Sequence, residues 1–348
     1  MRLPSVKELS VTQKRVLLRT NYDVPLLRQP ADQGKPMVVD ATRITDSLPT
    51  INYLLGQKAK IIIISHLGRP GGKIVLELSL RPVVGEISNK FSISNFQTGE
   101  FKGWKLDEQV VLLENLRFYP EEEANDLEFA KKLASLGDFY VNDAFACSHR
   151  QHASIVGIPK FLPASRRAFG FDFLEEVKAL TKIKDNPRRP VVVILGGVKE
   201  DKLKVMDELT RWVDYILIGG KLPLIISNFQ FPISSEKLII GTLNPDGKDI
   251  TLKSIEEFKK IILQAKTIVW AGPMGIFEDK RFEKGTKEVA RTIVESGAFS
   301  VVGGGDTEAA LTKFGLDKKI DFISSGGGAM LEFLAKGTLP GIEAIKNG

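Results

Sequence analysis

Short, continuous runs of apolar and β-branched residues punctuate the chain at 15–19, 60–65, 110–113, 139–141, 191–195, 215–218, 238–240, 267–270, 300–302 and 322–324, and each reads as a strand. Between them, apolar residues return at spacings of three and four over 47–55, 127–136, 174–180, 255–263, 289–294 and 329–334, which predicts helices. Strand and helix in alternation predict an α/β fold. Because the strands are apolar throughout, both faces of their sheets are expected to be covered by helices and the strands to run parallel. In such sheets ligands gather at the carboxyl ends of the strands. No internal repeat of about 20–50 residues and no low-complexity segment interrupts the pattern.

The polar motifs fall at those carboxyl ends. His66 and Arg69 follow the 60–65 run, Asn142-Asp143 follow 139–141, and Gly196-Gly197, Gly219-Gly220, Ala271-Gly272-Pro273, Gly303-Gly304-Gly305 and Gly326-Gly327-Gly328 follow runs in the second half. At 300–310 a β-branched run meets three glycines, then Asp306, Thr307 and Glu308 open an Ala-rich helix. Glycine lets the backbone approach a ligand, and the free N–H groups of the helix start attract an anion. Asp306 there suits a Mg²⁺ that shares phosphate oxygens. The alternative is a plain helix cap made by Asp306 or Thr307.

At 348 residues the chain exceeds the size at which one core usually divides, so two domains are expected. The pattern breaks at Gly157-Ile158-Pro159 and Leu162-Pro163, and a basic turn at 184–190 introduces the next strand; a partly helical linker is expected between. Composition, 43% hydrophobic and 26% charged, is that of a globular protein. A net charge of +6 and a pI near 9.1 suit an anionic partner without choosing its class. The single Cys147 leaves no intrachain disulfide or CxxC site and fits a reducing cytosol. With no apolar leader and no run of roughly 18 apolar residues, an untargeted cytoplasmic protein is expected.

Chemistry divides between the halves. The first holds Arg19, Arg43, His66, Arg69, Arg117, His149, Arg150 and His152, including every histidine of the chain. Arginine forks match phosphate and carboxylate, so the set predicts a pocket for a small polyanion. For any one arginine the alternative is a local ion pair, as between Glu114 and Arg117 or Asp40 and Arg43. The histidine spacing does not suit zinc, and HExxH is absent. The second half instead carries glycine pairs and triplets, with Lys199 placed to put a point charge on a phosphoryl group. A Gly-Lys-Ser/Thr loop, a GxGxxG after a strand and a GxSxG elbow are all missing. A polyanion in one half and a nucleotide in the other suggest transfer between them.

The ordered motifs resemble the phosphoglycerate kinase family over nearly the whole chain. They read Leu17-Leu18-Arg19-Thr20-Asn21-Tyr22-Asp23-Val24-Pro25, Asp40-Ala41-Thr42-Arg43-Ile44, Ser65-His66-Leu67-Gly68-Arg69-Pro70, Leu113-Glu114-Asn115-Leu116-Arg117-Phe118 and Asn142-Asp143-Ala144-Phe145 with His149-Arg150. The second half adds Leu195-Gly196-Gly197-Val198-Lys199, Ile218-Gly219-Gly220, Trp270-Ala271-Gly272-Pro273-Met274-Gly275, Gly303-Gly304-Gly305-Asp306-Thr307, Ser324-Ser325-Gly326-Gly327-Gly328 and Leu339-Pro340-Gly341.

The resemblance implies two Rossmann-like three-layer α/β domains with parallel sheets joined by a hinge. Residues 1–157 would bind 3-phosphoglycerate, with 331–348 packing back on them; 158–185 would form the hinge and interdomain helix, and 186–330 the nucleotide domain. It implies reversible phosphoryl transfer between ATP and 3-phosphoglycerate, giving ADP and 1,3-bisphosphoglycerate in glycolysis and gluconeogenesis, with Mg²⁺ bound to the nucleotide. Arg43 and Lys199 would be catalytic. Asn21, Tyr22, Asp23, Arg43, His66, Leu67, Gly68, Arg69, Arg117 and Arg150 would surround the glycerate substrate. Gly197, Lys199, Lys202, Gly219, Gly220, Gly272, Pro273, Glu278, Gly303, Gly304, Gly305, Asp306, Thr307, Ser325, Gly326 and Gly327 would hold the nucleotide, Glu278 at the ribose and Asp306 on the metal. A monomer or homodimer is expected, without nucleic-acid or membrane partners.

The chain departs from the family in places. Asn21-Tyr22-Asp23 inverts the family's usual Asp and Asn, Ala271 replaces a frequent Asn, and Leu203 stands where many members carry a second lysine. A one-residue deletion would hand that role to Lys202. The chain is also short for the family. These substitutions motivate one competing reading, a non-catalytic nucleotide or phospho-ligand sensor. The pI motivates another, a nucleic-acid binder, which the lack of aromatic residues among the basic ones disfavours.

Overall fold

The computed structural model describes residues 2–27, 36–87, 93–226 and 236–347. It divides into two compact units, Met1–Val177 with Leu339–Gly348, and Lys178–Thr338.

In the first unit a seven-stranded sheet runs in the order Ser94–Thr98, Phe101–Lys105, Val110–Leu113, Lys60–Ile64, Arg15–Thr20, Phe139–Asp143 and Arg167–Phe169. The strands from Val110 onward are parallel, with Val16 opposite both Ile61 and Phe139. Val16, Leu17 and Leu18 are all fully buried, so successive side chains feed cores on opposite faces of the sheet, as an unbroken apolar run requires. One edge differs from the expected parallel arrangement. Ser94–Thr98 and Phe101–Lys105 pair antiparallel because the two-residue link Gly99-Glu100, with Gly99 at φ +56°, is too short for a crossover. Leu26–Leu27 and Met37–Val38 form a separate antiparallel pair.

The second unit holds a six-stranded parallel sheet in the order Leu238–Ile240, Tyr215–Ile218, Val191–Leu195, Thr267–Ala271, Phe299–Gly303 and Phe322–Ser324. The strands thus run outward one way from Val191–Leu195 and then the other way from Thr267–Ala271, the doubly wound order that opens a crevice between those two. The parallel strands of the first unit do the same, and their reversal lies between Arg15–Thr20 and Phe139–Asp143. Helices Leu252–Ile262 and Lys284–Ser296 cover one face of the second sheet with Ile255, Phe258, Ile262, Val289 and Ile293.

Each expected strand is present. Lys60–Ile64 stops one residue early because Ser65 turns its hydroxyl to the Thr20 carbonyl at 2.8 Å and accepts from the Tyr22 N–H at 2.9 Å. The helix expected over 47–55 begins at Thr42, where Asp40 accepts from both the N–H and hydroxyl of Thr42, and it runs through Pro49 to Gly56. Helix Gly327–Lys336 buries Met330, Leu331, Phe333 and Leu334 within the second unit, and only Leu339–Gly348 belongs to the first. There Gly341 is required, since a Cβ would lie 2.8 Å from Ser148 Oγ. The expected linker 158–185 comprises two short turns, the Arg167–Phe169 strand and helix Phe171–Asp185. Among the described residues no helix is long and apolar enough to cross a membrane.

Candidate active site

In the first unit the expected residues collect at its strand-order reversal. Arg19 lies wholly buried in its strand: Nη1 donates to the Thr20 carbonyl, Nε donates to Ser154 Oγ at 2.8 Å, and Nη2 sits 3.2 Å from His66 Nδ1. Asn21 is 8% exposed, and its Nδ2 is enclosed with no partner among the described residues. Tyr22 turns inward, its hydroxyl 2.9 Å from Ser47 Oγ, and burial pushes the phenol up to about 12. Asp23 accepts from the Gly68 N–H at 2.8 Å, Arg117 Nη1 donates to the Gly68 carbonyl at 2.8 Å, and Arg43 Nη1 donates to the Asp23 carbonyl. Asp23, Gly68, Arg43 and Arg117 therefore hold one another in place. Gly68 has φ +64° with Leu78 packed where a Cβ would project, so a side chain is excluded there. The buried Leu67 presents its carbonyl to Asn115 Nδ2 at 2.7 Å. Arg150 is half-buried and Arg69 exposed.

The charges in this region are mostly of one sign. Burial first, then the positive charges of Arg117 and Arg19, hold His66 well below the ordinary imidazole range. The same causes bring His152 down to about 3. Burial also lowers Arg117. A set of cations with two lowered imidazoles suits an anionic ligand. The Glu114–Arg117 ion pair suggested by sequence spacing is replaced by other contacts. Glu114 accepts from Ser79 Oγ at 2.7 Å and from the Leu80 N–H at 2.8 Å, while Arg117 lies 3.4 Å from Glu123.

In the second unit the glycine loops interlock at the ends of the central strands. The Gly197 N–H donates to the Pro273 carbonyl at 2.7 Å, and the Gly220 N–H to the Met274 carbonyl at 3.2 Å. The Gly272 N–H donates to Thr307 Oγ1 at 2.8 Å. Gly272 sits at φ +99° with a Cβ position 2.2 Å from the Gly196 carbonyl oxygen, so only glycine closes this junction. Gly219 packs against Met274 and Gly303 against Met330. Lys202 Nζ donates to the carbonyls of Gly196 at 2.6 Å and Ala271 at 3.0 Å, and Leu203 is fully buried beside it. Burial, then the neighbouring Lys199, lowers Lys202 to about 8, while Asp306 opposes the shift. Lys199, Lys202 and Asp306 are therefore near one another.

Helix Gly305–Phe314 follows Gly304 at φ +101° and has no side-chain cap. Neither Asp306 nor Thr307 acts as the cap that sequence allowed: Thr307 faces Gly272 and Gly303, and Asp306 stands exposed in the first turn. Helix Gly327–Lys336 likewise starts after Gly326 without a side-chain cap, and Gly327 lies against Gly303 and Gly304. Two helix starts with free N–H groups thus adjoin, a fit for phosphate. Ser325, just before Gly326, is half-buried. Glu278 is exposed beyond this group, next to Lys313, which donates to the Phe277 carbonyl at 2.6 Å and pairs with Glu283 at 2.8 Å.

Among the described residues no three His, Cys, Asp or Glu are grouped to hold a metal by themselves. One exposed carboxylate beside two open helix starts suits a Mg²⁺ that arrives with its phosphates. Sequence reasoning missed Glu122 and Ser154, both fully buried: Glu122 accepts from the Ser154 N–H at 2.9 Å and its hydroxyl at 2.5 Å. Burial raises the Glu122 carboxyl, and Arg19 opposes the rise.

A family model described as phosphoglycerate kinase matches residues 6–234 and 233–337. The chain is 39% identical to the phosphoglycerate kinase of Solibacter usitatus over 390 aligned residues, covering 98% of each, and 38% identical to that of Finegoldia magna over 402, covering 99% of each. Both alignments are longer than the chain's 348 residues, so these relatives carry segments it lacks. The solved phosphoglycerate kinase structure from Coxiella burnetii has a TM-score of 0.75 at 31% identity, with 99% of both chains covered. That from Pyrococcus horikoshii has 0.74 at 27% identity, covering 99% of this chain and 98% of the other.

Proposed function

The chain belongs to the phosphoglycerate kinase family, and from that premise we propose how its residues carry out reversible phosphoryl transfer between ATP and the carboxylate of 3-phosphoglycerate. The observation that carries the assignment is the contrast between the two strand-order reversals, one ringed by cations around neutral histidines, the other lined by interlocked glycines and open helix starts.

Arg43, Arg69, Arg117 and Arg150 take the charges of the glycerate substrate, and His66 and Asn21 supply neutral donors. Tyr22, Leu67 and Gly68 shape the loops. With Asp23 committed to the Gly68 N–H, the inverted order leaves the Asn21 Nδ2 as the polar atom without a partner among the described residues. In the other unit Gly303, Gly304, Gly305, Thr307, Ser325, Gly326 and Gly327 form the phosphate cradle. Gly197, Gly219, Gly220, Gly272 and Pro273 form the floor for the nucleoside, and Glu278 is the ribose contact. Lys202, anchored on Gly196 and Ala271, takes the place of the family's second lysine, which the buried Leu203 is unable to fill.

The substrate carboxylate is itself the nucleophile, so no side chain is needed to attack and no proton leaves it. Its oxygen attacks the γ-phosphorus, the bond to the β-phosphate oxygen breaks, and ADP departs; what the protein supplies is alignment and charge neutralisation. Arg43 and Lys199 do this at the transferring group. Asp306 would hold a Mg²⁺ that arrives with the nucleotide, and the ion would screen the phosphate charges. Because acceptor and donor groups lie on separately folded units, in-line transfer away from water calls for hinge-bending closure. The buried free Cys147 suits a reducing cytoplasm, and a monomer carries all the groups named.

Calorimetric titration tests the division. Arg69→Ala should weaken 3-phosphoglycerate by roughly tenfold or more and leave MgADP unchanged, and Asp306→Ala should do the reverse. Crossed effects would contradict the assignment.

A further inference from the structure

Beneath the cationic region a line of buried polar contacts runs from Glu122 to His66. Glu122 accepts both the N–H and the hydroxyl proton of Ser154. With that proton committed, Ser154 Oγ turns a lone pair to Arg19 Nε at 2.8 Å. Arg19 is pinned a second time through Nη1 on the Thr20 carbonyl, which fixes the plane of its fork and sets Nη2 3.2 Å from His66 Nδ1. A guanidinium has donors only. His66 Nδ1 therefore accepts, and a neutral ring then carries its proton on Nε2. That nitrogen makes no hydrogen bond among the described residues and is not one of the enclosed unpartnered atoms, which leaves its proton for a ligand. His152 Nδ1 lies 3.9 Å from Glu122, too far for a hydrogen bond, which leaves Ser154 as the link. A π-helical turn, Ala153–Gly157, presents the Ser154 N–H and hydroxyl to the same carboxylate; such turns are rare and frequent at functional sites.

We propose that Glu122 and Ser154 are positioning residues for phosphoryl transfer, which act through Arg19 to fix His66 as the Nε2–H tautomer so that its ring donates to an anionic oxygen of the acceptor substrate. The other tautomer would aim a lone pair at a polyanion. This role rests on the first unit being the acceptor site.

Long-range ¹H–¹⁵N correlation, with His66 assigned through His66→Gln, reads the tautomer without substrate. Wild type is expected to show one Nε2–H tautomer between about pH 6 and 8. Ser154→Ala deletes one hydroxyl and leaves Glu122 in place; His66 is then expected to mix tautomers. KM for 3-phosphoglycerate should rise roughly 5–10-fold, the loss of about one hydrogen bond, with kcat and KM for ATP changed by less than about twofold. Glu122→Gln, which leaves one acceptor oxygen for the two Ser154 donors, should move both readouts in the same direction. A wild-type Nδ1–H or doubly protonated ring, or a His66 spectrum unchanged in both variants, would overturn the proposal. If the tautomer is as expected but added 3-phosphoglycerate leaves the His66 signals unmoved, the acceptor-site assignment fails, and the role in transfer fails with it.

Discussion

Replacing Asp143 by asparagine should stabilise the first unit, by an amount that grows with pH. Asp143 ends the Phe139–Asp143 strand and is 2% exposed. Its Oδ1 accepts from the Phe173 N–H at 3.1 Å, at the start of helix Phe171–Asp185, and its Oδ2 is enclosed with no hydrogen bond among the described residues. Gly170 leaves it room, since a Cβ there would lie 2.1 Å from its Cγ. Burial pushes this carboxyl from 3.8 up to about 6; contacts with Thr50 and the Phe173 N–H oppose the shift, and Asp46 adds to it. Asp172, pushed up to about 9 by burial and then by Asp143, belongs to the same acidic group. The fold thus prefers Asp143 protonated. Stability from that preference is complete below the unfolded value of 3.8 and is lost as pH rises through about 6. A rise from 3.8 to about 6 corresponds to about 3 kcal/mol at most. The amide keeps an acceptor for Phe173 and turns the enclosed Oδ2 into a donor among carboxylates. Scanning calorimetry should therefore find Asp143→Asn more stable than wild type by about 3 kcal/mol near pH 8, roughly 6–12 °C in the melting of that unit, and by about half as much near pH 5. A variant less stable than wild type near pH 8, or a gap that does not change with pH, would refute the reasoning.

Arg43→Ala should lower kcat by roughly 10²–10³-fold while KM for 3-phosphoglycerate changes far less, because its fork would act on charge that develops in transfer; steady-state kinetics with equal losses in both would remove that role. Gly272→Ala forces a Cβ against the Gly196 carbonyl at φ +99°. It should cost at least about 1–3 kcal/mol in denaturant unfolding of the second unit and weaken ADP binding, measured by calorimetry.

Much of this arrangement is legible in the residues. The strands are apolar end to end because they are covered on both faces, and the glycines stand at their carboxyl ends because the loops cross within a few ångströms. Other features leave no such trace. Ser94–Thr98 is mostly polar and half-exposed on the sheet edge, so no apolar run marks it. The early start of helix Thr42–Gly56 depends on Asp40 and tolerates Pro49, an interior residue that ordinarily signals an end. Spacing offered Glu114 as an alternative partner of Arg117, but Glu114 binds Ser79 and Leu80 across the fold. Glu122 and Ser154 meet over 32 positions of chain through a π-helical turn, and no local pattern encodes that contact.

Turnover remains the most direct measure of the central claim, that cationic acceptor groups and a glycine-lined nucleotide cradle serve one transfer. In a coupled assay with ATP, Mg²⁺ and 3-phosphoglycerate, the purified protein should form ADP and 1,3-bisphosphoglycerate only when all three are supplied. Binding of ATP and 3-phosphoglycerate without turnover would contradict the account and make the protein a sensor built on the same fold.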